Sequence, residues 1–356
     1  MGLFLYDHSS ITPINPDLFS IGSFSVKKYA FCILIGAVIA LIVGVRWAKR
    51  IGMKEDQLYT AFAWGLVVGV LGARIFYCVF DDFHKVITKP WTLFTEFRNG
   101  GLAISGGIIA GALFAFFYCK KIKMHPFYLG ELAAPGFFIG QACGRWGNFF
   151  NQEAHGTLVP GFPDLDAQRH WLRFLPKFIV DNMYISNTSS VAPEVGYYHP
   201  TFLYESCVNL IGLGVILLLR KFYKKYMIGD GIFIYFTWYG TLRFFLEFIR
   251  TDAQFIGNTG IKVAQVVAIS LVLIGVTGFV LRHHFNYFPV LWREPISAEN
   301  TFGKRKLSDF EEVSNVEEKK EEIEVLEANN ASSDETLDNN ITNENDIPNN
   351  EEEKTE

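Results

Sequence analysis

Apolar residues run along this chain in seven long stretches, near residues 29–45, 58–80, 101–119, 127–143, 201–219, 230–250 and 262–281, with polar connections between them. A hydrocarbon core about 30 Å thick takes roughly 20 apolar residues of helix to cross. The pattern therefore predicts an all-α integral membrane protein with about seven transmembrane helices. Glycines recur inside the stretches, among them Gly65, Gly69 and Gly72 in the second and Gly106, Gly107 and Gly111 in the third. In lipid such residues let helices approach closely rather than breaking them.

The polar connections predict an orientation, because short cytoplasmic loops carry an excess of Lys and Arg. Arg46, Lys49, Arg50 and Lys54 follow the first stretch, Lys120, Lys121 and Lys123 the third, and Arg220, Lys221, Lys224 and Lys225 the fifth, with Arg282 after the seventh. The opposite loops hold fewer bases for their length, Lys85, Lys89 and Arg98 in one and Arg145, Arg169, Arg173 and Lys177 spread along another. The N-terminus is then outside and the C-terminus cytoplasmic. Residues 144–200 form one long outer loop with aromatic residues of its own, which predicts a small extracellular subdomain rather than slack chain.

Composition sharpens this division. The chain is 50% hydrophobic, and its net charge of −5 is a sum of unlike parts. Residues 301–356 hold 18 acidic against 6 basic residues, so the rest is net basic. Two regions follow: a polytopic domain over 1–293, and a tail over 294–356, acidic, mostly disordered and cytoplasmic, with room for one short helix around Phe310–Leu326.

Charges inside an apolar stretch cost about 2.5–3.5 kcal/mol each at mid-bilayer and so mark function. In the sixth stretch Tyr239, Arg243, Glu247 and Arg250 fall within roughly 80° of one another on a helix advancing about 100° per residue. Arg243 and Glu247 could satisfy each other as an i, i+4 pair, but Arg250 leaves a positive surplus. With the predicted orientation these residues lie in the outer half of the membrane. So do Arg74, the segment Gly144–Glu153 that ends the fourth stretch, Tyr29, Gly100-Gly101 with Ser105-Gly106-Gly107, and the His199–Glu205 segment. Arginine suits phosphate, because its planar fork binds two oxygens at once. An anionic phospholipid head group is the phosphate at hand. The sequence contains no P-loop, dinucleotide fingerprint, metal-spaced His/Cys cluster or nucleic-acid-binding pattern, so no metal, cofactor or nucleic acid is expected.

The run Gly144-Arg145-Trp146-Gly147-Asn148-Phe149-Phe150-Asn151-Gln152-Glu153-Ala154-His155-Gly156 resembles the signature of the prolipoprotein diacylglyceryl transferase family. The resemblance extends to His199-Pro200-Thr201-Phe202-Leu203-Tyr204-Glu205, to the Tyr239–Arg250 segment, to Tyr29 and to the glycine pairs, and so spans residues 20–285. It implies transfer of the diacylglyceryl group of phosphatidylglycerol to the thiol of the lipobox cysteine of a preprolipoprotein, with release of glycerol phosphate. The setting it implies is the bacterial cytoplasmic membrane, with the site toward the outer leaflet. No cofactor is implied, since the donor carries its own leaving group. Carried over by position, Arg145 and Arg243 hold the phosphate, and Glu153 orients Arg145 or binds glycerol hydroxyls. Asn148, Gly156, Tyr29, Gly106, Tyr239, Glu247, Arg250 and His199 contact the head group or steady the Arg/Glu network.

One position departs from the family pattern. Ser105 stands where many members have a histidine proposed as general base. Either the base is elsewhere, with Glu153, His155, His199 or a water near Ser105 as candidates, or the arginines lower the thiol pKa far enough that none is needed. The arginine surplus favours the second. A multi-spanning transporter or a non-enzymatic binder of anionic lipid is the competing reading. A polar cluster confined to one level and the lack of repeated halves speak against transport.

Overall fold

A computed structural model describes residues 6–22, 24–80, 88, 91, 101, 103–189, 192–251, 254–255, 259–288 and 290–292. All of these belong to one unit, Met1–Ile296. Lys85, Lys89, Arg98, Gly100, the acidic tail and its candidate helix lie outside the described residues.

A hairpin of β1 (Asp17–Ile21) and β2 (Phe24–Lys27) leads directly into α1 (Lys28–Arg50). The other long helices are α2 (Glu55–Phe80), α3 (Ile104–Lys121) and α4 (Pro126–Phe150). After α4 come the short α5 (Leu165–Trp171) and α6 (Lys177–Asn182) and a minimal hairpin, β3 (Tyr184–Ile185) with β4 (Gly196–Tyr197). The chain then returns through α7 (Thr201–Phe222), α8 (Asp230–Leu246) and α9 (Val263–His284). A long helix thus covers each apolar stretch. Five of them, α1, α2, α3, α7 and α9, are long and apolar enough to cross a membrane by length and composition. Of the other two, α4 carries Glu131, Pro135 and Arg145 within its length, and α8 has 17 residues.

Helix α4 is central and packs against α1, α7 and α8. It opens with Pro126, whose missing N–H costs nothing at a helix start, behind His125, whose Nδ1 accepts from the Phe127 N–H at 3.3 Å. Its buried face includes Tyr128, Leu132, Ala134, Phe138, Ile139 and Ala142. Large apolar side chains on the outer helices, such as Leu66, Ile108, Phe117 and Leu273, are exposed, as a face meeting lipid requires. Helices α2 and α3 touch through glycine: a Cβ on Gly106 would lie 2.1 Å from Phe76 Cβ and 2.6 Å from the Gly72 carbonyl oxygen.

Two helix ends differ from the pattern in the sequence. Helix α4 runs on to Phe150 rather than ending near 143, because Trp146 and Phe149 find protein to pack on: Phe149 and Phe202 rings lie 4.5 Å apart within a core that includes Val159, Leu172, Ile179 and Tyr197. That core belongs to the segment between α4 and α7, which is tied to the chain start by His8, whose ring nitrogens meet the Tyr197 hydroxyl at 3.0 Å and Asp166 at 3.1 Å. Helix α8, expected to continue to residue 250, stops at Leu246. Beyond it the backbone is drawn into tertiary pairing, with the Thr157 N–H donating to the Ile249 carbonyl at 2.8 Å and an antiparallel bridge joining Gly156 to Arg250.

Candidate functional site

Arg145 and Asn148 sit on the last two turns of α4, three residues apart and so on one face. Arg145 Nη1 donates to Asn148 Oδ1 at 3.2 Å, and Asn148 Nδ2 donates to Glu153 Oε1 at 3.0 Å. Glu153 is turned back toward the helix by a tight bend in which Gln152 and Ala154 both adopt left-handed backbone, φ +51° and +54°. Non-glycine residues rarely hold that conformation unless their surroundings enforce it. Here Gln152 Nε2 is held by the Asn182 carbonyl at 2.8 Å, Glu153 N–H donates to the Asn148 carbonyl, and Thr201 Oγ1 donates to the Ala154 carbonyl.

Behind Arg145 stands Glu205, in the second turn of α7 and 1% exposed. Its Oε2 lies 2.7 Å from Arg145 Nε, an ion pair not aligned as a hydrogen bond, and its Oε1 accepts from Arg250 Nη1 at 3.2 Å. One buried carboxylate thus serves two guanidiniums. Glu205 has no role assigned from the sequence alone. Its signal was an acid just inside an apolar stretch, in a segment noted only for its resemblance.

Arg243 in α8 pairs with Glu247 at 3.0 Å, i to i+4. The expected single helical face holds for Tyr239, Arg243 and Glu247, whereas Arg250 lies past the end of α8 and turns to Glu205 instead. Lys262 Nζ donates to the Glu247 carbonyl. Among the described residues, Arg243 Nη1 and Thr251 Oγ1 are buried with no hydrogen-bond partner, while Glu247 Oε2 is held only by its ion pair with Arg243 Nη2. An unsatisfied buried polar group costs about 1–3 kcal/mol, more when charged, so such a cluster calls for a ligand. Among the described residues, Arg145, Arg243, Arg250 and Lys262 face Glu205, Glu247 and the exposed Glu153, four cations to three carboxylates.

The two arginine groups are joined through backbone. The Gly156 N–H donates to the His199 carbonyl at 3.0 Å and the His199 N–H to the Thr157 carbonyl at 2.9 Å, while Thr157 reaches Ile249. Only glycine fits at 156, where a Cβ would lie 2.8 Å from His199 Cβ and 3.1 Å from the Ile249 carbonyl oxygen. His199 Nδ1 lies 3.3 Å from the Tyr204 hydroxyl, and burial pushes its pKa below the ordinary value. His155 is buried, with Nδ1 3.0 Å from the Gly156 carbonyl and its ring 4.5 Å from that of Tyr198.

Tyr29 packs on Gly147, one residue before Asn148, where an added Cβ would lie 2.6 Å from its ring. Tyr239 stacks on Tyr235 with parallel rings 5.8 Å apart. Ser105 is exposed on the first turn of α3, and neither it nor Gly106 takes part in the hydrogen bonds that join the arginine groups. Arg74 Nη1 donates to the Gly101 carbonyl at 3.0 Å, binding α2 to the segment that precedes α3.

Fold and site define a helical multi-pass membrane protein with a partly buried arginine–carboxylate network at one end of its bundle. The family model for prolipoprotein diacylglyceryl transferase matches residues 16–281. A phosphatidylglycerol–prolipoprotein diacylglyceryl transferase of Lactobacillus delbrueckii subsp. bulgaricus is 37% identical over 278 residues, 76% of this chain and 91% of the relative. Another of that name, from Staphylococcus aureus strain Newman, is 35% identical over 286 residues, 78% of this chain and 92% of the relative. The chain belongs to the prolipoprotein diacylglyceryl transferase family.

Proposed function

We propose that this chain transfers the diacylglyceryl group of phosphatidylglycerol to the lipobox cysteine of a preprolipoprotein, at the outer leaflet of the bacterial cytoplasmic membrane. Seven crossings with the N-terminus outside belong to the same reading and rest on the lysine-rich loops. The observation that carries the chemistry is Arg243 Nη1, buried with no hydrogen-bond partner among the described residues, in a network whose described members include more cations than carboxylates.

The step is a displacement at carbon. The cysteine thiolate attacks the glycerol carbon bearing the phosphate; a C–S bond forms, the C–O bond breaks, and its electron pair leaves on the phosphate oxygen. Glycerol phosphate departs with one more negative charge than the diester phosphate carried. Preorganised donors aimed at such developing charge account for much of an enzyme's rate in a water-poor site. Arg145 and Arg243 supply them, Glu205 and Glu247 orient the guanidiniums, and Asn148 links Arg145 to Glu153. Tyr29 and Tyr239 contribute walls for the head group.

The same surplus favours thiolate over thiol, so the proton is lost to solvent without a dedicated base. His155 is committed to packing, and a His199 with a depressed pKa is a weaker base than an ordinary histidine.

Incubating the purified protein with phosphatidylglycerol and a lipobox peptide tests the assignment. Thioether-linked diacylglyceryl peptide and free glycerol phosphate are expected, and neither from a Cys→Ser peptide. Lipid binding or flux without product would overturn it in favour of a binder or transporter.

A further inference from the structure

At the end of the bundle away from Arg145, a cavity of about 390 Å³ is lined by Trp47, Arg50, Leu217, Arg220, Lys221 and Trp292. Arg220 lies fifteen residues after Glu205 on α7, roughly 22 Å along a helix rising about 1.5 Å per residue. Its guanidinium is sandwiched between indoles, 4.2 Å from the Trp47 ring and 4.3 Å from the Trp292 ring, and Arg50 lies 5.3 Å over the Trp292 ring. Glu131 holds Arg220 from the other side, accepting from Nε at 2.9 Å and Nη2 at 2.6 Å. That carboxylate is saturated, since it also accepts from the Tyr226 hydroxyl and from the N–H groups of Gly229 and Gly231. Arg220 is 5% exposed, and its Nη1 is buried with no hydrogen-bond partner among the described residues. Arg50 and Lys221 add two exposed cations to the cavity wall, and none of its described lining residues is a carboxylate.

We propose that this cavity is a second lipid site, which takes the phosphate of an anionic phospholipid in the leaflet opposite the catalytic one. Arg50 and Lys221 draw the phosphate in, and an oxygen between them gives Arg220 Nη1 its acceptor. A lipid fits better than free phosphate because the cavity opens among the ends of α1 and α7. There Leu217 is 42% exposed and Leu218 57%, so acyl chains have an apolar helix face to follow. Tryptophans mark the interfacial level of a bilayer, and basic pockets between membrane helices bind anionic head groups. A bound lipid would tie α1, α7 and the Trp292 segment together.

The probe is phosphatidic acid, which lacks the head-group glycerol of the proposed substrate, titrated by native mass spectrometry into detergent-purified full-length protein carrying Arg145→Ala. Phosphatidylcholine and inorganic phosphate form the comparison arms. Phosphatidic acid is expected to bind more tightly than phosphatidylcholine and to resist displacement by millimolar inorganic phosphate. With R50Q and K221Q together, its affinity should fall roughly tenfold or more, at about 1 kcal/mol per surface cation. Both side chains are exposed, so thermal unfolding should be nearly unchanged; K221Q alone, with a smaller loss, serves if the double variant is unstable. Unchanged affinity in these variants, equal binding of both lipids, or displacement by inorganic phosphate would overturn the proposal. No activity is read, so its failure and a failure of the transferase assignment are separate results.

Discussion

At the scale of single residues, the site turns on how few carboxylates serve how many cations. Glu205 is the counter-ion of both Arg145 and Arg250. Removing one partner of a buried ion pair costs about 3–5 kcal/mol, because it leaves the other charge uncompensated. Glu205→Gln should therefore lower the unfolding temperature in detergent markedly and abolish transfer, whereas Glu153→Gln, at the exposed end of the chain of hydrogen bonds, should slow transfer and leave unfolding nearly unchanged. Ser105→His probes the proton. If no dedicated base is used, the rate–pH profile keeps its shape, and a strong rise at low pH would restore the case for a missing histidine. Arg243 and Glu247 were legible in the sequence because ions within an apolar stretch stand out, and Arg145 because it lies in the signature run just past one. The pairing of Glu205 with two arginines was not, since it joins residues 60 and 45 positions apart. The left-handed bend at Gln152 and Ala154 was equally hidden, being enforced by contacts from Asn182 and Thr201.

At the scale of elements, apolar length foretold where each long helix lies, and its ends were decided by partners the pattern does not contain. Helix α4 outran its apolar stretch because Phe149 packs on Phe202, and α8 fell short because Thr157 captures the Ile249 carbonyl. The start of α4 carries a pH dependence. Burial, with Arg282 nearby, depresses the His125 pKa to about 4 while its ring stacks on Phe288 at 4.0 Å. The unfolded chain takes up this proton first, near the ordinary histidine value. The associated stability is then complete above about pH 6.5 and falls as the pH drops toward about 4. The unfolding temperature of the wild type should decline over that window. His125→Asn, which keeps an N-capping side chain, should flatten the decline without removing the part due to His199.

At the scale of the whole molecule, the chain separates a net basic, apolar body from an acidic C-terminal region, and the reading places all the chemistry in the body. A protein truncated after Pro295 should retain transfer at the full-length rate; loss of activity in a stable truncation would contradict that division. Loop basicity gave a direction to the bundle, and cysteine labelling from outside the cell should reach Thr157 replaced by Cys but not Lys121 replaced by Cys. The chemistry turns on Arg243, whose Nη2 is held by Glu247 and whose Nη1 has no hydrogen-bond partner among the described residues, holding the departing phosphate. It is tested most directly by the rate of glycerol phosphate release by Arg243→Lys. Lysine keeps the charge and loses the fork, so the account predicts a fall of about 100-fold or more in protein that unfolds at the wild-type temperature. A rate close to that of the wild type would contradict it.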